Sequence, residues 1–389
     1  MRVLHVIQGL ETGGAERIVI ALAAEASKAG HEVAVASPPG ALQAELVGVR
    51  FGMPSVRRDV RKLPLAAVTL ASIIRRWSPD ALHCHQPTMG LVAALATGRG
   101  AWRPGLVSVH GVQEEDYEQS GRILRLSGFM TVACGPGVEA ALRDHGVHRI
   151  TTIVNGVSPS PPPATRQELA ARYGIPVDAP LVVAVGRLAP QKDHATAIRA
   201  LAALPWVWLM LVGDGPMREP LDRLISDLDV GERVHRVGAQ PGARRIIGAA
   251  DVVVISSLWE GLPLVALETL ASGVPLVATH VRGNRELLRD GHDAVLVPAR
   301  NPLALARAIE RCLVDDGLRS ELIAGGFRTA ALHTEERMSS RFLALYQELV
   351  GARGRRPPRH PVPDRDQTTR SQARRDHGRH PHPIDQIPG

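Results

Sequence analysis

Aromatic residues make up only 3% of this 389-residue chain, so its interior has to be packed mainly from Val, Leu, Ile and Ala. Cysteine is scarce too: Cys84, Cys134 and Cys312 are three in number and irregularly spaced. An odd, sparse set argues against a disulfide framework and points to a reducing compartment. No apolar run reaches the length of a membrane span, and the opening MRVLHVIQGLETGG gives way to glycine too early for a signal-peptide core. These absences lead to the expectation of a soluble, cytoplasmic protein. The dinucleotide fingerprint GxGxxG is missing, and no Asp-x-Asp stands at the end of an expected strand. Lysine is rare, with none in an obvious pyridoxal phosphate context, which ranks a phosphorylase-like enzyme last.

A basic bias spread over the whole chain is also lacking. The formal net charge is +7, but residues 351–389 carry nine Arg and four acidic residues, a net of +5, leaving about +2 for all that precedes them. That segment is rich in Pro, Arg and His and has almost nothing to bury. It is expected to be a disordered, dispensable tail, with His377, His380 and His382 at most adventitious metal ligands. A nucleic-acid partner would rest on the tail alone, so none is expected.

What the chain does have is length and apolar content for two domains: 389 residues, 44% hydrophobic. Short β-branched runs alternate with helical stretches, the pattern of parallel sheets covered by helices. Strands are expected at residues 2–7, 32–36, 81–85, 106–110 and 130–134. In the second half they are expected at 181–185, 208–212, 234–237, 252–255, 275–278 and 294–297. Runs such as LVVAV and DVVVIS are apolar on both faces, as buried parallel strands are. Between the halves, Val154-Asn155-Gly156-Val157 and a proline run read as hinge and linker. The reading is α/β, with two Rossmann-like doubly wound domains at 1–157 and 158–334, a last amphipathic helix at 335–350 and the tail at 351–389.

Several glycine-rich segments fall at strand ends, where doubly wound sheets bind ligands. Residues 9–17, GLETGGAER, place Gly13 and Gly14 at a helix N-terminus that suits an anion. Residues 185–193, VGRLAPQKD, put Arg187 and Lys192 on a loop where two cations can grip a diphosphate from two sides. VGDGP at 212–216 is a weaker glycine loop at the same edge. In 251–279 a buried strand ends at Ser256 and Ser257, a loop carries Glu260-Gly261-Leu262-Pro263, and a helix starts near Pro263. Glu260 can meet a sugar there, Glu268 inside the helix can accept both hydroxyls of a ribose, and the exposed amides of Gly261 to Val265, including those of Leu262 and Leu264, can bind phosphate oxygens. A helix-dipole role explains one of these glutamates but not the pair. His83-Cys84-His85 looks like a ligand cluster, but strand alternation sends Cys84 to the opposite face, so it reads as a strand end.

GGAER, VHG, VNGV, GRLAPQKD, VGDGP and EGLPLVALE occur in the order found in glycosyltransferase family 4, and the chain resembles that family over residues 1 to about 350. The resemblance implies a GT-B fold, with Gly14, Arg187 and Lys192 on the donor diphosphate and Glu268 on the ribose. It implies Glu260 at the donor sugar and backbone near Val237 and Gly238 at the nucleobase. It further implies retention of configuration, no cofactor beyond the nucleotide-sugar co-substrate and no bound metal, and a last helix folded back onto the first domain. His110, at the end of SVHG, should line the cleft as the family histidine does. Behind it Glu114, Glu115, Asp116 and Glu118 crowd one loop and would draw a polycationic acceptor. The expected reaction is hexose or amino-hexose transfer from a UDP-sugar to a small soluble acceptor, such as an aminoglycoside (paromamine-like) antibiotic intermediate. A lipid-linked or polysaccharide acceptor at the membrane face is the alternative, carried by Arg57, Arg58, Arg61, Lys62, Arg75 and Arg76 around an apolar helix. A nucleotide-sugar epimerase or hydrolase is the rival of another class.

Overall fold

The computed structural model describes residues 1–354, except residues 12, 57–58 and 99–103 and the side chains of Glu114, Arg353 and Gly354. The expected tail beyond residue 354, with its histidines, and Arg57 and Arg58 lie outside the described residues. Residues Met1–Arg353 form one unit built on two all-parallel sheets. The first contains β1 (Arg2–Val6), β2 (Glu32–Ser37), β3 (Val49–Gly52), β4 (Ala81–His85), β5 (Gly105–Val109), β6 (Met130–Ala133) and β7 (Ile150–Thr152), in the order β3-β2-β1-β4-β5-β6-β7. The second contains β8 (Leu181–Val185), β9 (Trp208–Val212), β10 (Val234–Arg236), β11 (Val252–Ile255), β12 (Leu276–Thr279) and β13 (Val295–Val297), in the order β10-β9-β8-β11-β12-β13.

The central strands β4, β5, β11 and β12 are buried at every residue, because helices cover both faces. Two strands were not expected from sequence. β3 is VRFG, largely exposed, and β7 is ITT, three residues long. Each is an outermost strand with one partner, so neither needs the apolar run that marks a central strand. In both sheets the strand order reverses once, between β1 and β4 and between β8 and β11. Side chains beyond the carboxyl ends of those four strands therefore face open crevices.

The halves are joined twice. Val157 donates its N–H to the His333 carbonyl (3.0 Å), and Glu335 donates to the Val157 carbonyl (3.2 Å), so linker and returning chain run side by side. Gly156 sits so close to the Thr334 carbonyl that a Cβ would overlap it. After this crossing the helix Glu335–Gly354 packs Met338, Phe342, Tyr346 and Leu349 on Val3, Ile18, Leu106 and Val132 of the first sheet and its helix.

Candidate active site

The loops beyond β8 and β11 are bound to each other. Leu258 donates its N–H to the Gln191 carbonyl (2.8 Å), Gln191 Nε2 donates to the Trp259 carbonyl (3.1 Å), and Ser256 Oγ donates to the Lys192 carbonyl (2.9 Å). The stem of Lys192 folds over Gly186, where a methyl group would lie 3.3 Å from Lys192 Cγ. Its ammonium then meets Glu260 Oε1 at 2.5 Å, and Ser257 Oγ donates to the same oxygen at 2.6 Å. Glu260 is 7% exposed, so this is a nearly desolvated ion pair that holds a cation ready at the end of β8. Glu260 pairs with Lys192 through Oε1, because a partly buried ammonium needs a counter-charge. Arg187 is exposed and forms no ion pair among the described residues, so the two-sided cationic grip is not assembled.

The Gly261 loop is not exposed as expected but buried under the first domain. A methyl on Gly261 would lie 2.5 Å from the His110 carbonyl, and Gly111 lies against it from the same side. Leu262 is buried. The next helix, Leu264–Ala271, begins after Pro263 with no side-chain cap, leaving its first amides at Leu264 and Val265 uncapped. Opposite it, the helix Gly14–Lys28 starts after Gly13, with the Glu16 carboxylate of its first turn folded against Gly13, and a methyl on Gly14 would stand 3.3 Å from Leu264 Cδ1. Two helix N-termini thus approach each other across the cleft, and that of Leu264–Ala271 is the one whose first amides suit an anion. Glu268, on the same short helix, has its pKa pushed up to about 7 by burial, opposed by the charges of Arg244 and Arg17. Arg244 Nε lies 3.8 Å from Glu268 Oε1, and the rest of its guanidinium donates to Ser158 Oγ (2.7 Å) and the Ser158 carbonyl (2.6 Å) in the linker.

At the far end of the crevice Val237 and Gly238 follow β10. Gly213 donates its N–H to the Gly238 carbonyl (2.9 Å), Val237 donates to Leu211, and the Val237 carbonyl accepts from Gln240. Backbone reading of a base there has to use the Gly238 N–H or a second carbonyl lone pair. A small pocket beside it is lined by Leu188, Gly213, Asp214, Arg218, Arg236 and Gly238.

On the first-domain side, strand register places His5 of β1 opposite His83 of β4. His83 and His85 share one face and Cys84 the other, and the rings of His5, His83, His85 and His110 pack together. His85 Nδ1 lies 3.1 Å from His110 Nε2, while His83 bonds to Tyr346 Oη (2.7 Å) and Ser108 Oγ (2.7 Å). Nitrogens of His5, His83 and His85 lie within 4.8 Å of one another, a spacing open to a metal. Both nitrogens of His83 are already engaged, however, and no carboxylate is part of the group to balance a dication in this buried place. Gln86, directly after β4, holds φ 84°, and its Oε1 is buried without a partner among the described residues.

Residues 12–161 match Glycosyltransferase Family 4, and residues 165–329 match Glycosyl transferases group 1. The lipopolysaccharide core biosynthesis glycosyltransferase LpsE of Rhizobium meliloti is 32% identical over 85% of this chain and 94% of its own length. The chain belongs to glycosyltransferase family 4. Alpha-D-kanosaminyltransferase of Streptomyces kanamyceticus is 31% identical over 54% of this glycosyltransferase and 56% of itself. The crystal structure of Anabaena Alr3699/HepE in complex with UDP and glucose aligns over 90% of this chain and 100% of that one, at 20% identity and a TM-score of 0.78. The fold is therefore GT-B.

Within this glycosyltransferase the structure brings together Lys192, Glu260 and Ser257, and separately Gly14 and Leu264, and His110 and Gly261. It leaves Arg187 apart. Glu115 and Asp116 lie exposed in the turn Glu114–Asp116 with no ion pair among the described residues, and Glu118 pairs with Arg122 at 3.2 Å. The side chain of Glu114 lies outside the described residues. Sequence reasoning missed His5, Gln86 and Arg244. For His5 a signal existed, since two central strands each carry histidine near their ends. Arg244 has none, because its partners Ser158 and Glu268 are distant in sequence.

Proposed function

We propose that this enzyme transfers a hexose or amino-hexose, with retention, from a UDP-sugar to a hydroxyl of a saccharide acceptor seated against the first domain. The observation that carries this reading is the Lys192–Glu260–Ser257 cluster at the β8/β11 reversal, next to the uncapped N-terminus of the helix Leu264–Ala271 and the His110–Gly111 loop. A diphosphate entering there meets the Lys192 ammonium, the Leu264 and Val265 amides, and Arg187 once its exposed side chain swings in. Glu268 accepts the ribose hydroxyls. As the bond from the sugar's anomeric carbon to the phosphate oxygen breaks, fixed positive charge stabilises the departing diphosphate without reorganising. The acceptor oxygen attacks from the same face, and its proton passes to the leaving phosphate oxygen. The Anabaena structure bound to UDP supports uracil as the base.

For the acceptor, exposed Glu115 and Asp116 beside the His110 loop favour an amine-rich saccharide, and the kanosaminyltransferase likeness points the same way. A thermal-shift panel of UDP, GDP, ADP and dTDP, followed by product mass spectrometry, tests the donor. UDP should give the largest shift, and no shift from any of the four overturns the reading. With a paromamine-like acceptor, Glu115→Gln with Asp116→Asn should raise the acceptor KM roughly tenfold and leave the donor KM unchanged. An unaltered acceptor KM rejects the amine-rich class.

A second reading has its own observation. Val60, Leu65 and Val68 are exposed at 70%, 57% and 67%, next to exposed Arg61, Lys62, Arg75 and Arg76. Such a face suits an anionic bilayer and a lipid-linked acceptor, in keeping with the likeness to LpsE. Flotation with anionic but not neutral liposomes, lost in Leu65→Glu with Val68→Glu, selects it.

A further inference from the structure

His110 is the end of a row of three imidazoles. Its Nε2 meets Nδ1 of His85 at 3.1 Å, and Nε2 of His85 meets Nδ1 of His5 at 3.1 Å. The two outer nitrogens, His110 Nδ1 and His5 Nε2, are buried with no partner among the described residues. Burial pulls His5 down to about 3, His110 to about 4 and His85 well below its ordinary value, so all three rings are neutral at pH 7.

A neutral imidazole has one N–H and one bare nitrogen. Two consecutive bonds therefore force all three rings into the same tautomer. Either every proton sits on Nε2, and His5 aims an N–H into a closed core with no acceptor, or every proton sits on Nδ1. In the second case His5 keeps a bare nitrogen and the N–H appears at His110. Either arrangement leaves one terminal N–H without an acceptor among the described residues, so the choice falls to the ends themselves. The two ends differ in access. His5 is 0% exposed, whereas His110 borders the Gly261 loop, where a substrate can bring an oxygen.

We propose that His5 and His85 are positioning residues that fix His110 as the Nδ1–H tautomer, so that His110 serves as a hydrogen-bond donor, not a base, to a substrate oxygen in the cleft. The stacked ring of His83, 3.9 Å from that of His85 and tied to Tyr346 and Ser108, packs against the middle of the row. The functional half of this proposal rests on the reading that His110 touches substrate. The tautomer half does not.

Long-range proton–nitrogen spectra of the protein labelled with 15N-histidine test the tautomer directly, with His110 assigned by its loss in His110→Asn. A protonated Nδ1 is expected, and a protonated Nε2 overturns the proposal. In turnover, His85→Asn keeps an amide N–H near the position of Nδ1 and should hold kcat close to the parent enzyme. His85→Leu cannot make that bond and should lower kcat roughly tenfold at constant donor KM. Equal kcat in His85→Leu and the parent also overturns it. Full kcat in His110→Ala would instead sink the reading of His110 as a substrate contact, with the tautomer still decided by the spectrum.

Discussion

At the scale of single residues, the site is built from charges kept partly out of water. Glu268 shows the consequence best. Burial raises its pKa from an ordinary 4.5 to about 7, so the folded protein holds that proton more tightly than the unfolded chain does. Its contribution to stability is complete below 4.5, falls as the pH rises towards 7, and is lost above. Ribose binding has the opposite sign, since the ionised carboxylate is the form that accepts two hydroxyls. Donor KM should therefore fall as the pH rises through about 7, and Glu268→Gln should raise Tm by about 2 °C at pH 8 while weakening the donor. Differential scanning fluorimetry and initial rates between pH 5 and 9 check both trends. A pH-independent donor KM would show that the proton is absent from the free enzyme. The ionisation of Glu268 was not legible in the sequence, because Arg244 and Arg17, which oppose the burial, come from other elements.

At the scale of elements, strand ends and helix starts do the positioning. The residues after β1, β8, β9 and β11 carry the motif glycines, and glycine is needed at specific close approaches. Gly156 is one of these. It lies where linker and returning chain cross, against the Thr334 carbonyl, and its N–H reaches Met338 Sδ at 3.4 Å. Gly156→Ala should cost about 1–3 kcal/mol, since backbone on the other side cannot move aside as a side chain can. Urea denaturation followed by circular dichroism measures it, and a variant as stable as the parent would mean that the two segments part easily. Eleven of the thirteen strands were legible as apolar runs. β3 and β7 were not, since an outermost strand of three or four residues needs no continuous burial.

At the scale of the whole molecule, the two halves meet at glycines. Gly261 lies against His110 and Gly111, Gly14 against Leu264, and Glu286 accepts the Gly137 N–H at 2.8 Å from the other half. A methyl on Gly261 would hold the halves apart without touching the Lys192–Glu260 pair. Gly261→Ala should lower kcat about a hundredfold with nucleoside diphosphate affinity unchanged, because displacement of reacting groups by about 1 Å has that effect on rate. Rapid-quench turnover and calorimetry with UDP separate the two quantities, and an unchanged kcat would mean that this contact is absent during reaction. The sequence by itself determined the two-sheet architecture and the motif residues, because apolar periodicity and glycine spacing are local properties of the chain. Only the tertiary structure decided which of those residues face each other. That Glu260 neutralises Lys192, that Arg244 reaches the linker at Ser158 and that His5 completes a row of imidazoles depend on groups 68, 86 and 80 residues apart meeting in space. Electrostatic partners are chosen by distance, and distance is set by the fold.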